Sequence, residues 1–189
     1  MTPASSSGAR ETSRPSTADG NPDMVCALSR LEGTRPLNTK PPSAPRIRFL
    51  ALCVFHHQGK ILVNVFDDPV TGQTLSRPLG GGIEFGELGR DAIAREIMEE
   101  LGQPISDVRL LGTLESLFTY AGKPGHEVVQ VYDARFDDAS LYQRAWLDGH
   151  ESNSSPFRAR WCDSADFERT CPLVPQGLQA LLHDLALLG

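Results

Sequence analysis

Glu96, Glu99 and Glu100 stand at spacings of three and four, the spacings that bring side chains together on one helix face. Like charges one turn apart, such as Glu96 and Glu100, cost a helix about 0.2–0.5 kcal/mol per pair. With no lysine interleaved, the patch needs a reason. One is a hard-cation site, because Mg2+ or Mn2+ takes oxygen ligands and completes its shell with water and substrate phosphate. The bland alternative is a solvated acidic face, and spacing alone leaves both open. The run Gly80-Gly81-Gly82 lies just upstream. It permits backbone conformations closed to residues with a Cβ. A nucleotide-binding P-loop does not fit these glycines, since no Lys-Ser/Thr follows them. Arg77 precedes the run and is either a phosphate contact or a surface arginine.

The carboxylates need a helix to hold them. A helical pattern runs from about Arg90 to Leu101, with Gly89 a tolerable N-cap and Gly102 where a left-handed C-cap is expected. On an ideal wheel Ile93, Ile97, Leu101, Ala94 and Met98 form the apolar stripe, with the glutamates beside it. Upstream, Ile47–Phe55 reads as a strand, Gln58-Gly59 as a turn and Lys60–Phe66 as its hairpin partner. His56-His57 is a hairpin end rather than a metal pair, because adjacent strand residues point to opposite faces. Asp67–Ser76 reads as a polar loop. Downstream, Val108–Leu117 reads as one or two strands, Gly122–Gly125 as a turn and His126–Phe136 as a strand. Asp137–Ser155 reads as a surface excursion and Arg158–Cys162 as a last strand. A short helix follows from Asp163. Pro175 is then expected in the first turn of a final helix striped by Leu178, Leu181, Leu182 and Leu185. Strands on both sides of a central helix, plus a terminal helix, make an α/β chain with a mixed sheet between helical layers.

At 189 residues one domain is the natural count, and the formal net charge is −6. No basic patch supports binding to nucleic acid, and no apolar run suits a membrane span. Cys26, Cys53, Cys162 and Cys171 show no paired zinc spacing and read as reduced thiols of a cytoplasmic protein. Residues 1–45 read as a disordered tail, since their Ser, Thr, Pro, Gly and Ala cannot offset ordering entropy. Residues 46–189 read as the domain. Met24–Leu28 is an apolar island in the tail, and Met24 is an alternative start. Glu11 and Asp19 argue against a transit peptide.

Gly81, five residues, Glu87, seven residues, Arg95-Glu96-Ile97, one residue, Glu99-Glu100, one residue, Gly102 resembles the Nudix box. Gln103 departs from it, standing where an aliphatic residue is usual. Arg77–Glu87 and Gly125–Val129 resemble a bacterial Nudix subgroup of unassigned substrate, and the likeness covers about residues 46 to 188. The resemblance implies a Nudix-type α/β/α sandwich with a mixed sheet. It implies Mg2+- or Mn2+-dependent hydrolysis, by metal-activated water, of the diphosphate linkage in a small-molecule nucleoside diphosphate derivative. Glu96, Glu99 and Glu100 become the metal carboxylates, with Glu99 and Glu100 catalytic. Arg95 orients them and pairs with Glu87. Gly81 and Gly82 let backbone approach the substrate.

The general base is a box glutamate or a downstream acid. Glu127 is the main external candidate, with Glu151 and Glu84 behind it. Alternation puts Glu127, Val129 and Val131 on one face, so an inward Val129 would turn Glu127 toward the helix layer. Tyr120, seventeen residues after Gln103, falls where dinucleoside-polyphosphate hydrolases carry a base-stacking tyrosine. Its alternative is a strand-end aromatic covering the core. A homodimer stays open as a partner. The rival function class is a catalytically silent Nudix-like sensor or adaptor.

Overall fold

Leu50 through Val54 are buried along the first strand, β1 (Arg48–Val54), which becomes the centre of the fold. A computed structural model describes residues 44–189, so the Met24–Leu28 island lies outside the described residues. The expected hairpin between the first two long strands is not formed. The chain leaves β1 at Phe55, and only β2 (His56–His57) pairs with β3 (Lys60–Asp67). Gln58 and Gly59 both have positive φ, 50° and 75°, and close that turn. β1 and β3 therefore belong to different sheets.

β4 (Thr74–Arg77) pairs with β3 inside the stretch read as a loop, and β5 (Leu79–Gly82) pairs with β1. Helix α1 (Gly89–Leu101) follows, ended by Gly102 in the left-handed conformation, with its N–H donating to the Met98 carbonyl. The N-cap is Leu88 rather than Gly89. β6 (Ile105–Tyr120) and β7 (Lys123–Phe136) form one long hairpin. It turns at Ala121-Gly122, φ 52° and 72°, earlier than the Gly122–Gly125 reading.

The expected surface excursion contains a 3-10 turn, η1 (Ala139–Gln143), and a strand, β8 (Trp146–His150), paired with β9 (Pro156–Cys162). β8 alternates exposed and buried, with only Leu147 and Gly149 inward, so it carries little hydrophobic signal. α2 (Ser164–Arg169) opens on a capping box between Asp163 and Asp166. α3 (Leu178–Asp184) starts after Gly177, so Pro175 lies before the helix and not in its first turn.

One sheet has the order β5-β1-β7-β6 and is mixed, with β1 and β7 parallel. The other has the order β2-β3-β9-β8, with β4 also on β3. Alternation along β1 builds two cores. Leu50, Leu52 and Val54 join Val129, Val131, Ile61 and Val63 under Phe167 of α2 and Leu178 and Leu182 of α3. Ala51 and Cys53 join Leu62, Tyr132 and Ala159 under Ala92, Ile93 and Ile97 of α1. The result is an α/β/α sandwich, with α1 on one face and α2 and α3 on the other.

Candidate active site

The buried face of α1 is not the apolar stripe of the ideal wheel. It consists of Ala92, Ile93, Glu96, Ile97 and Glu100, while Met98 is 47% exposed. Two carboxylates of the box thus face the protein, each 6% exposed. The glycine strand β5 makes this possible. A Cβ on Gly81 would stand 2.5 Å from Oε2 of Glu96. Gly80, at φ +126°, presses so close to β1 that a Cβ would stand 2.2 Å from the Ala51 carbonyl oxygen. Its N–H donates to Oε2 of Glu100 at 3.1 Å. Gly82 leaves open space where its side chain would be.

Arg95 ties the box together. Its Nε and Nη2 donate to the two oxygens of Glu87, both at 2.9 Å, the pair that the resemblance implies. Nη2 also reaches the Gly82 carbonyl at 2.9 Å, and Nη1 reaches Glu96 at 2.9 Å and Glu99 at 3.4 Å. The guanidinium holds the Glu87 carboxyl below its ordinary range and is itself pushed further up. Glu99 stays half-exposed beside them, its side chain 50% accessible.

Among the described residues Glu100 forms no ion pair. Burial raises its pKa to about 8, and the nearby charges of Glu151 and Glu96 push the same way, against the Gly80 N–H and Arg77. Glu151 begins the β8–β9 connection, and its Oε1 accepts from Asn64 Nδ2 at 3.0 Å. Asn64 stands opposite Arg77 across the β3–β4 pair. The structure therefore gathers Arg95, Glu96, Glu99, Glu100, Gly81, Gly82, Arg77 and Glu151 around the C-terminal half of α1.

Glu127 is not brought there: the inward Val129 turns it toward a helix layer, as expected, but toward the layer of α2 and α3 rather than that of α1. Val129 and Val131 are buried on the face covered by α2 and α3. Glu127 shares that face, 6% exposed, and pairs with Arg48 at the start of β1. Alternation fixes which residues share a face, but in a sheet covered on both sides it cannot say which face. Glu84 is exposed in the turn before α1, where its N–H donates to Glu87 Oε2 at 3.1 Å. Tyr120 is 37% exposed at the end of β6. Its ring meets Phe66 edge-on at 5.8 Å, and its hydroxyl reaches the Asp67 carbonyl at 3.5 Å. Asn64 escaped the sequence reading altogether. Its only signal is that it interrupts the apolar run Ile61–Phe66.

Among the described residues no three His, Cys, Asp or Glu side chains are arranged to hold an ion. The donor chemistry nevertheless fits a hard cation. Every candidate ligand is a carboxylate oxygen, and Glu100 lies buried beside two further acidic groups.

The family model of the NUDIX domain matches residues 44–181. The chain belongs to the Nudix family. The fold agrees with Nudix hydrolase structures. A MutT NUDIX hydrolase from Burkholderia pseudomallei superposes with a TM-score of 0.51 at 20% identity, over 73% of this chain and 97% of that one. The ORF135 protein of E. coli superposes with a TM-score of 0.51 at 21% identity, over 78% and 94%. Among curated relatives, the NAD-capped RNA hydrolase NudC of Mycobacterium tuberculosis is 25% identical over 130 residues, 68% of this chain. The match spans only 41% of that relative's length. Among the described residues of this Nudix chain, no helix is long and apolar enough to cross a membrane.

Proposed function

We propose that the chain is a Mg2+- or Mn2+-dependent pyrophosphohydrolase that cleaves the diphosphate linkage of a nucleoside diphosphate derivative. The observation that carries this reading is the pair of buried helix carboxylates, Glu96 and Glu100, packed against a glycine strand with Glu151 beside them. Glu96, Glu99 and Glu100 would hold the ion. When bound, it would offset their charge, neutralise phosphate oxygens and acidify water.

The protein's own groups have separable tasks. Arg95, clamped by Glu87 and the Gly82 carbonyl, keeps Glu96 and Glu99 in register. Arg77 sits near Glu100 and meets a phosphate oxygen. Gly81 and Gly82 keep that approach free of side chains, and Gly82 borders open space. Glu151 takes the proton of the attacking water, since it neighbours Glu100 and is bound by a neutral amide rather than a cation. The half-exposed ring of Tyr120, braced by Phe66, offers a face to the nucleobase.

The test is a product-release screen with Mg2+ and with Mn2+ over UDP-glucose, ADP-ribose, diadenosine tetraphosphate, dGTP and NAD. An NAD-capped oligonucleotide belongs in the panel because of the name of the curated relative. Turnover of at least one diphosphate that stops on chelation supports the reading, and turnover that survives chelation contradicts it.

A further inference from the structure

Asn64 is the one polar residue in the run Ile61–Phe66 of β3. An amide at such a position gives up the packing of its β-branched neighbours, and its polar atoms must find partners. The backbone is held from both sides, for Asn64 stands opposite Arg77 of β4 and Ala159 of β9. Strand alternation puts the side chain on the same face as Leu62, which belongs to the core under α1. There Nδ2 donates to Oε1 of Glu151 at 3.0 Å.

We propose that Asn64 is a positioning residue that fixes the Glu151 carboxylate against the α1 glutamates. This rests on the reading of Glu151 as proton acceptor. The backbone of Glu151 is already fixed by the turn, since its N–H donates to Ser155 at 2.8 Å and its carbonyl accepts from Ser154 at 2.7 Å. The side chain still has free torsions, and one hydrogen bond to one oxygen removes much of that freedom. The donor's type matters as much as its place. A guanidinium would engage both oxygens, as Arg95 does at Glu87. A neutral amide engages one oxygen and leaves the second oxygen unengaged by it.

The test combines a double-mutant cycle with a structure. Glu151→Gln, Asn64→Ala and the double variant are assayed on the panel member with the highest turnover, and the Asn64→Ala variant is crystallised. Asn64→Asp is carried alongside, as it keeps the side-chain size and replaces the donor with a second carboxylate. We expect Asn64→Ala to lower kcat by about 10–100-fold with little change in KM, as for a displaced catalytic group. The double variant should be no slower than Glu151→Gln, and Asn64→Asp should be at least as impaired as Asn64→Ala. In the crystal the Glu151 side chain should have left the α1 glutamates. If Glu151→Gln is fully active, the reading of Glu151 itself fails. If Glu151→Gln is slow while Asn64→Ala is normal, the positioning role alone fails. Additive losses, a rise in KM with kcat unchanged, or a Glu151 that stays in place without the amide would each overturn it as well.

Discussion

Glu100 is a carboxyl whose surroundings favour its neutral form, and this has a sign that can be measured. Its pKa rises from 4.5 in the unfolded chain to about 8 in the fold, chiefly through burial. A folded pKa above the unfolded one means the folded state keeps its proton longer. The associated stability is fully present below pH 4.5 and is lost as pH climbs to about 8. With a chelator present, the wild type should therefore lose stability relative to Glu100→Gln across that window. Urea midpoints of the two proteins at several pH values measure the gap, and a constant gap would contradict the assignment. Arg95 gives a second prediction. Lysine cannot reproduce a fork that meets Glu87 at two oxygens and the Gly82 carbonyl at the same time. Arg95→Lys should cost about 1–3 kcal/mol, read by denaturant unfolding, and slow turnover as Glu96 and Glu99 lose their anchor.

The glycine strand makes a contrast within one element. At Gly81 an added Cβ meets only the far end of the Glu96 side chain, which can swing away. At Gly80 it meets the backbone of β1, in a conformation that disfavours side chains. Gly81→Ala should thus stay folded and lose turnover, whereas Gly80→Ala should lose about 1–3 kcal/mol of stability. Melting temperature and kcat measured on both variants separate the two effects. The same elements show what the sequence can and cannot convey. The Arg95–Glu87 partnership was implied by the Nudix resemblance, whereas the box helix and its left-handed end at Gly102 were legible because each depends on residues near in sequence. The rotation of α1 was not, because it depends on β5 offering glycines in place of side chains, so that carboxylates rather than Met98 turn inward. β8 was missed because two inward positions, one of them Gly149, carry too little apolar signal. Which helix layer Glu127 faces was not legible, because burial of Val129 is compatible with either side of a covered sheet.

For the whole molecule, the sandwich brings together groups far apart along the chain: Arg77, the α1 glutamates and Glu151. Those groups all lie within residues 77–151, among the described residues. A chain beginning at Pro45 is expected to fold and to keep near-full turnover on the panel. A large loss on truncation would show that the tail takes part in the fold or the site. The central claim, that charge on the buried face of α1 performs metal-dependent hydrolysis, is tested most directly by one titration. Hydrolysis of the best panel substrate is followed against Mg2+ concentration for the wild type and Glu100→Gln, which keeps the shape of the side chain and removes its charge. The account predicts a steep fall in turnover with the fold retained, most severe at limiting Mg2+. A Glu100→Gln protein with wild-type activity at limiting Mg2+ would contradict it.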